Sequence, residues 1–88
     1  MEAEQSERNF YQGILQIAVA CYHLGNQNQR GAMILLGEGI NRLQPYCPTY
    51  ANLDLETFLS QSAELLAGLQ ASLPVPPLHL PQLRELTP

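Results

Sequence analysis

Apolar residues recur at helical spacing in three segments of this chain, and this pattern limits the fold more than any other feature. The predicted helices span about residues 7–24, 29–43 and 54–71. After residue 73 the chain carries five prolines, which exclude a long helix because proline lacks a backbone N–H and clashes with the preceding turn. We therefore predict an all-α domain over residues 1–72, a small three-helix bundle, followed by an extended Pro-rich tail over residues 73–88.

Residues that start and end helices flank these segments. Asn28 and Asp54 are expected N-caps, because their side-chain oxygens can accept hydrogen bonds from the first turn. Gly25 and Asn26 are expected to end the first helix, since both residue types tolerate the left-handed conformation. The stretch QPYCPTYANL, residues 44–53, carries two prolines and two tyrosines, and we interpret it as a loop.

The charge balance excludes several functions. Eight acidic residues face four arginines, lysine is absent, and the net charge is −4. Nucleic-acid binding and attachment to anionic membranes both depend on Lys and Arg, so neither partner is expected. The acidic, polar start MEAEQSERN does not resemble a signal peptide, and Cys21 and Cys47 are widely separated. We therefore expect reduced thiols and a cytoplasmic protein.

The first helix is apolar over roughly two-thirds of its circumference, but Gln12, Gln16 and His23 lie within roughly 40° of each other on the rest. Three interpretations of this polar line stay open. It is a narrow solvent-facing edge, a buried hydrogen-bonding seam against another helix, or a functional site. His23 is a weak candidate for a metal ligand, because zinc sites need several Cys or His residues together.

Neither a catalytic residue nor a cofactor is predicted. The chain contains no nucleophile elbow, no phosphate-binding loop and no paired histidines of a metalloprotease. Gly31, Gly37 and Gly39 lie in or at the start of the second helix, where an interior glycine costs about 1 kcal/mol relative to alanine. We expect at least one of them to allow the close approach of a neighbouring helix.

The stretch FYQGILQIAVACYHLGNQNQRGAMILLGEGINRLQPY resembles the core of domain of unknown function 309, an uncharacterised bacterial and plastid-related family. The resemblance covers about residues 10–69, and the sequence at residues 37–43 is similar to that of cyanobacterial members. The residues that carry it are Gly13, Gln16, Tyr22, His23, Asn28, Arg30, Gly31, Ala32 and the helix end at residues 43–46. The resemblance implies a compact helical fold and adds Asn28 to the candidate polar site of Gln12, Gln16 and His23.

Some members of that family are labelled predicted metal-dependent hydrolases. Longer members begin with a helical segment that carries His or Cys, Glu and Trp, whereas this chain has no Trp. Met1 is then expected to be an internal methionine of a longer protein. Two functions follow as alternatives. One is a non-catalytic module that acts through helix–helix contacts, and the other is a remnant of a metal-dependent hydrolase.

The predicted apolar surface exceeds what three short helices can bury. Ile34 and Leu35 lie off the main apolar stripe of the second helix, and charge is sparse at 14%. Leucines of the tail could shield part of this surface. We therefore expect a homo-oligomer, most simply a two-fold dimer, or a helical partner.

Overall fold

A computed structural model gives the fold and describes residues 2–71 and 80–86, with side chains from residue 4 onward. The elements are α1 (Glu2–Gly25), α2 (Gln29–Leu43), a 3-10 turn (Gln44–Tyr46), β1 (Thr49–Tyr50), β2 (Leu53–Asp54) and α3 (Leu55–Gln70). The predicted all-α three-helix bundle is confirmed, and α2 has the predicted bounds.

The first helix begins earlier than predicted, at Glu2 rather than about residue 7. Residues 4–8 include glutamates, a glutamine and an arginine, which are good helix formers although they carry no apolar period. Contacts with the rest of the bundle hold this turn in place. Ser6 meets the Tyr46 hydroxyl, and the Asn9 Oδ1 accepts from Arg42 at 3.2 Å.

The turn between α1 and α2 differs in one respect from the prediction. Gln27, with φ of 63°, takes the left-handed conformation, whereas Gly25 stays in the helix. The amide N–H of Asn28 reaches back to the His23 carbonyl at 2.8 Å, and this bond closes the turn at Gln27. Asn28 is the N-cap as predicted, because its Oδ1 accepts from the Gly31 N–H at 3.1 Å.

The interpretation of residues 44–53 as a loop is wrong, because part of this stretch forms a small antiparallel hairpin. Thr49 pairs with Asp54 and Tyr50 with Leu53. Ala51 and Asn52 form the two-residue turn with φ of 51° and 63°, as type I′ geometry requires. Asn-Gly is the usual pair in that turn, so the sequence carries little signal for the hairpin.

The hairpin leads directly into α3. The Asp54 carboxylate accepts from the Thr57 N–H at 3.1 Å, which confirms the predicted N-cap. The Pro48 carbonyl, which follows a cis peptide bond at Cys47, accepts from the Leu55 and Glu56 N–H groups at 3.1 and 3.0 Å. Two of the four N–H groups that a helix start leaves free thus find a backbone partner.

The core lies where the inner faces of the three helices meet. Its largest fully buried apolar side chains are Ile17, Leu36, Leu43 and Leu55. Phe10 anchors an aromatic cluster at one end, with ring centroids 5.4 Å from Tyr46 and 4.5 Å from Tyr50. Ring pairs at these distances add stability beyond the area they bury, so the cluster ties the hairpin to α1.

Part of the predicted tail lies along the hairpin. Leu53 forms an isolated bridge with Glu85, the Asp54 N–H donates to the Arg84 carbonyl at 2.9 Å, and Leu80 and Leu83 pack against the core. Packing of tail leucines is therefore confirmed for these two. The predictions for residues 72–79, 87 and 88 lie outside the described residues. In the described part of the chain, none of the helices has the length and apolar character needed to span a bilayer.

Candidate functional site

The residues of the predicted polar line lie in different environments in the structure. Gln12 is exposed, Gln16 is only 8% exposed, and His23 is half-buried. A helix that crosses its neighbour covers one part of such a line and leaves the rest outside. The solvent-edge interpretation therefore describes Gln12, and the buried-seam interpretation describes Gln16.

Gln16 lies between two charged residues of α2. Its Nε2 donates to the Glu38 carboxylate at 3.1 Å, and its Oε1 accepts from the Arg42 Nε at 3.1 Å. Glu38 and Arg42 are four residues apart and share a helix face, so one amide can bind both. Donor and acceptor of the Gln16 amide are thus both satisfied, which removes most of the cost of burying it.

Together with Asn9, these residues form one hydrogen-bonded network of Asn9, Gln16, Glu38 and Arg42, which we call the Gln16 seam. The sequence predicted only part of this network. Gln16 was selected, whereas Asn9, Glu38 and Arg42 were not. Glu38 is exposed as well as hydrogen-bonded. The spacing of Glu38 and Arg42 is the signal that could have identified the seam, since it matches the two ends of one amide.

His23 and Asn28 lie together at the other end of α1, away from the seam. The Asn28 Nδ2 is 3.4 Å from the His23 Nδ1, and the Tyr22 ring contacts the imidazole edge to face. One imidazole and one amide side chain make a poor donor set for a divalent metal. The described residues contain no group of three or more His, Cys, Asp or Glu that could hold a metal ion.

The three predicted packing glycines have different surroundings. At Gly39 a Cβ would lie 2.6 Å from the Ile17 Cγ1 and 3.1 Å from the Gly13 carbonyl oxygen, so α1 and α2 are in close contact there. At Gly31 a Cβ would meet the side chain of the N-cap Asn28 at 2.5 Å. At Gly37 nothing lies within 4 Å, so this glycine has no part in the helix contact, and Gly39 is the one that meets the expectation of a close approach to a neighbouring helix.

Gly13 has a packing role that sequence reasoning missed. A Cβ there would lie 2.6 Å from the Leu43 Cγ. Gly13 and Gly39 therefore both serve the α1–α2 contact, one from each helix. Gly13 was noted only as part of the family resemblance.

Cys21 and Cys47 are free thiols, and both are half-buried. Burial raises the pKa of Cys21. Burial, and then the nearby Glu56 carboxylate, raise the pKa of Cys47. Because the thiolate is the nucleophilic form, both thiols are poorly reactive at neutral pH.

A row of apolar side chains on α1 faces away from the core. Its members are Tyr11 (62% exposed), Leu15 (55%), Ala18 and Tyr22 (69%). Their spacing of four, three and four residues places them in one line along the helix. We call this row the outer stripe. The sequence predicted an excess of apolar surface on this helix but not which side the bundle leaves uncovered.

Comparisons with known proteins bear on the N-terminal part of the chain. No curated protein and no solved structure matches the chain. The family resemblance is confirmed for residues 1–35, which include Gln16, His23, Asn28 and the whole outer stripe. The cyanobacterial subtype, predicted from residues 37–43, lies beyond the match and stays a prediction. Residues 1–35 match the model of the family described as Domain of unknown function (DUF309).

Proposed function

We propose that this protein is a non-catalytic helical module that binds a second copy of itself through the outer stripe of α1. The observation that carries the proposal is the exposure of two tyrosines and a leucine in one line on a helix. Together they present on the order of 400 Å² of surface, taking the area typical of aromatic side chains. The largest apolar patch on a typical monomer covers roughly 300–600 Å² and is often functional, so the outer stripe is a candidate interaction site.

The order of residues in the stripe suits a two-fold axis. Tyr11 and Tyr22 are equally far from the midpoint between Gln16 and Ile17, and so are Leu15 and Ala18. Two antiparallel copies of α1 related by an axis at that midpoint therefore place each tyrosine against the other tyrosine of the partner. The same axis sets Leu15 against the small Ala18. A two-fold interface requires this kind of self-complementary pairing.

The polar residues beyond the stripe favour the antiparallel arrangement. Glu4 and Glu7 are exposed at the start of α1, and the antiparallel arrangement keeps them away from the same two residues of the partner. A parallel pair would instead bring the acidic ends of both helices together, and like charges at close range repel.

The test compares one charge introduced in the stripe with the same charge elsewhere. The mass of the wild-type protein is measured by light scattering across a dilution series, and we expect a dimer that dissociates at low concentration. Leu15→Glu should give a monomer at every concentration, because the dimer would bury two unpaired carboxylates. Ile34→Glu is the matched control, since Ile34 is 54% exposed on α2 and outside the stripe. It should leave the dimer intact.

Two outcomes contradict the proposal. One is a wild-type monomer at every concentration with a cooperative melt and no dye binding to exposed apolar surface. The other is a monomeric wild-type protein that melts at a higher temperature than its Leu15→Glu variant. The stripe would then be covered by other residues of the same chain. If Ile34→Glu and Leu15→Glu both abolish the dimer, the interface includes α2 and the antiparallel α1 arrangement is wrong.

A further inference from the structure

An open groove of about 590 Å³ lies where the first turns of α1 meet the end of α2 and the hairpin. Asn9 and Arg42 supply polar groups, and Pro45, Tyr46 and Tyr50 supply apolar surface. Pockets that bind small molecules have volumes of roughly 300–1,000 Å³, and they combine apolar walls with a few polar groups. The groove shares both properties, and none of its residues belongs to the outer stripe.

The charge of this groove is opposite to that of the protein. The whole chain carries twice as many acidic residues as basic ones. Yet Arg42 is the one charged residue among the described residues that line the groove, and Glu38 of the Gln16 seam is hydrogen-bonded to Gln16 and is not part of that lining. A ligand that enters therefore meets one positive charge and no carboxylate among the described lining residues. This asymmetry favours an anionic ligand.

Arg42 is held in position but not neutralised by its direct partners. Its Nε donates to the Gln16 Oε1 at 3.1 Å, and its Nη1 donates to the Asn9 Oδ1 at 3.2 Å. Both acceptors are neutral amides. A guanidinium has five N–H donors, and these contacts use two of them. The side chain is thus oriented before a ligand arrives, which reduces the entropy lost on binding.

The apolar part of the groove is aromatic. Tyr46 and Tyr50 contact each other edge to face with centroids 4.8 Å apart, and Tyr50 packs on the buried Phe10. The Tyr46 hydroxyl donates to the Ser6 carbonyl, which fixes that ring against α1. Rigid aromatic walls suit a flat ring, while a guanidinium suits the two oxygens of a carboxylate.

We propose that this groove binds a small planar carboxylate, an aromatic acid of the benzoate type. The carboxylate binds the free donors of Arg42, and the ring packs against Tyr46 and Tyr50. The Gln16 seam then has a second role. It positions the arginine for the ligand as well as joining α1 to α2. The proposal is independent of self-association, because the groove and the outer stripe share no residue.

The test is an NMR titration of the full chain with benzoate, with benzamide as the uncharged analogue and inorganic phosphate as the anion without a ring. We expect benzoate to shift amide resonances around Arg42 and Tyr50 with a Kd on the order of 1 mM or tighter. Benzamide and phosphate should each bind at least about tenfold more weakly, since each lacks one of the two contacts.

Asn9→Asp provides the decisive variant. The substitution keeps the size of the side chain and places a carboxylate beside the Arg42 Nη1, so it should fold normally while it occupies and neutralises the arginine. We expect benzoate binding to fall at least about tenfold. Gln12→Glu is the control, because it makes the same change in charge on the exposed side of α1. It should bind benzoate as the wild type does.

Three results would overturn the proposal. The first is the absence of benzoate binding to the wild type at millimolar concentration. The second is phosphate or benzamide binding as tightly as benzoate, since the groove would then recognise charge alone or a ring alone. The third is unchanged benzoate affinity in a folded Asn9→Asp variant, which would place the ligand elsewhere.

Discussion

Gly37 and Gly39 lie two residues apart in α2, yet a methyl group would meet different surroundings at each. Gly37 has open space around it, whereas Gly39 faces the Ile17 side chain and the Gly13 carbonyl of α1. Ile17 is fully buried, and a backbone oxygen cannot move without disturbing α1. The same substitution should therefore have opposite effects at the two positions.

We predict that Gly39→Ala destabilises the protein by about 1–2 kcal/mol, because the cost of overpacking exceeds the gain in helix propensity. Gly37→Ala should stabilise it by up to about 1 kcal/mol, since only propensity changes there. In a domain of this size 1 kcal/mol shifts the melting temperature by roughly 4–8 °C, so thermal unfolding resolves both effects. A higher melting temperature in both variants would show that Gly39 has no packing role.

At the scale of elements, the junction between hairpin and α3 joins three parts of the chain at Asp54. Its N–H pairs with the Arg84 carbonyl, and its carboxylate caps α3. The hydrogen bond from the Thr57 backbone N–H lowers the pKa of Asp54, the Thr57 side chain lowers it further, and Arg84 adds a smaller attraction. The folded state therefore holds a proton on Asp54 less readily than the unfolded chain does.

This pKa shift predicts acid sensitivity. Above the pKa that Asp54 has in the unfolded chain, about 4, its contribution to stability is fully present. The contribution is lost as the pH falls from that value towards the lower pKa of the folded state. Asp54→Asn keeps an acceptor for the cap but cannot titrate, so the loss of stability in acid should be shallower. Urea unfolding at several pH values measures this effect.

The control for the acid experiment is Glu64→Gln, which removes a carboxylate from the exposed side of α3 without touching the cap. Its stability should fall in acid as steeply as that of the wild type. If Asp54→Asn loses stability as steeply as the wild type, the cap does not contribute to acid sensitivity.

At the scale of the whole molecule, the described residues of this 88-residue chain form three helices and a hairpin around a small core. Domains of this length bury a smaller share of their surface than larger ones, and their stability is correspondingly low. Tyr11, Leu15 and Tyr22 remain outside that core. If a second copy covers them, association and folding are linked by mass action.

We therefore predict that the melting temperature depends on protein concentration. For a dimer that unfolds as it dissociates, each tenfold dilution should lower it by roughly 4 °C, given the unfolding enthalpy typical of this length. Calorimetry over two decades of concentration measures the shift. Leu15→Glu should melt at one temperature regardless of concentration. A wild-type melting temperature that does not change with protein concentration would contradict the linkage between association and folding.

The sequence by itself determined the three helices, because their apolar residues repeat at helical spacing and because Asn28 and Asp54 can cap without help from distant residues. It also identified Gln16 as a polar residue on an otherwise apolar helix. Periodicity and capping act over three or four residues, and a sequence displays such local rules directly.

Only the tertiary structure decided what depends on residues far apart in the chain. The hairpin at Ala51 and Asn52 lacks the usual turn sequence and is held by the packing of Tyr50 on Phe10. Ser62 is fully buried by the packing of α3 in the bundle, and its hydroxyl is satisfied because it donates to the Phe58 carbonyl of the same helix. Which side of α1 stays exposed, and which glycine meets a neighbour, follow from how helices cross, and no local pattern fixes that crossing.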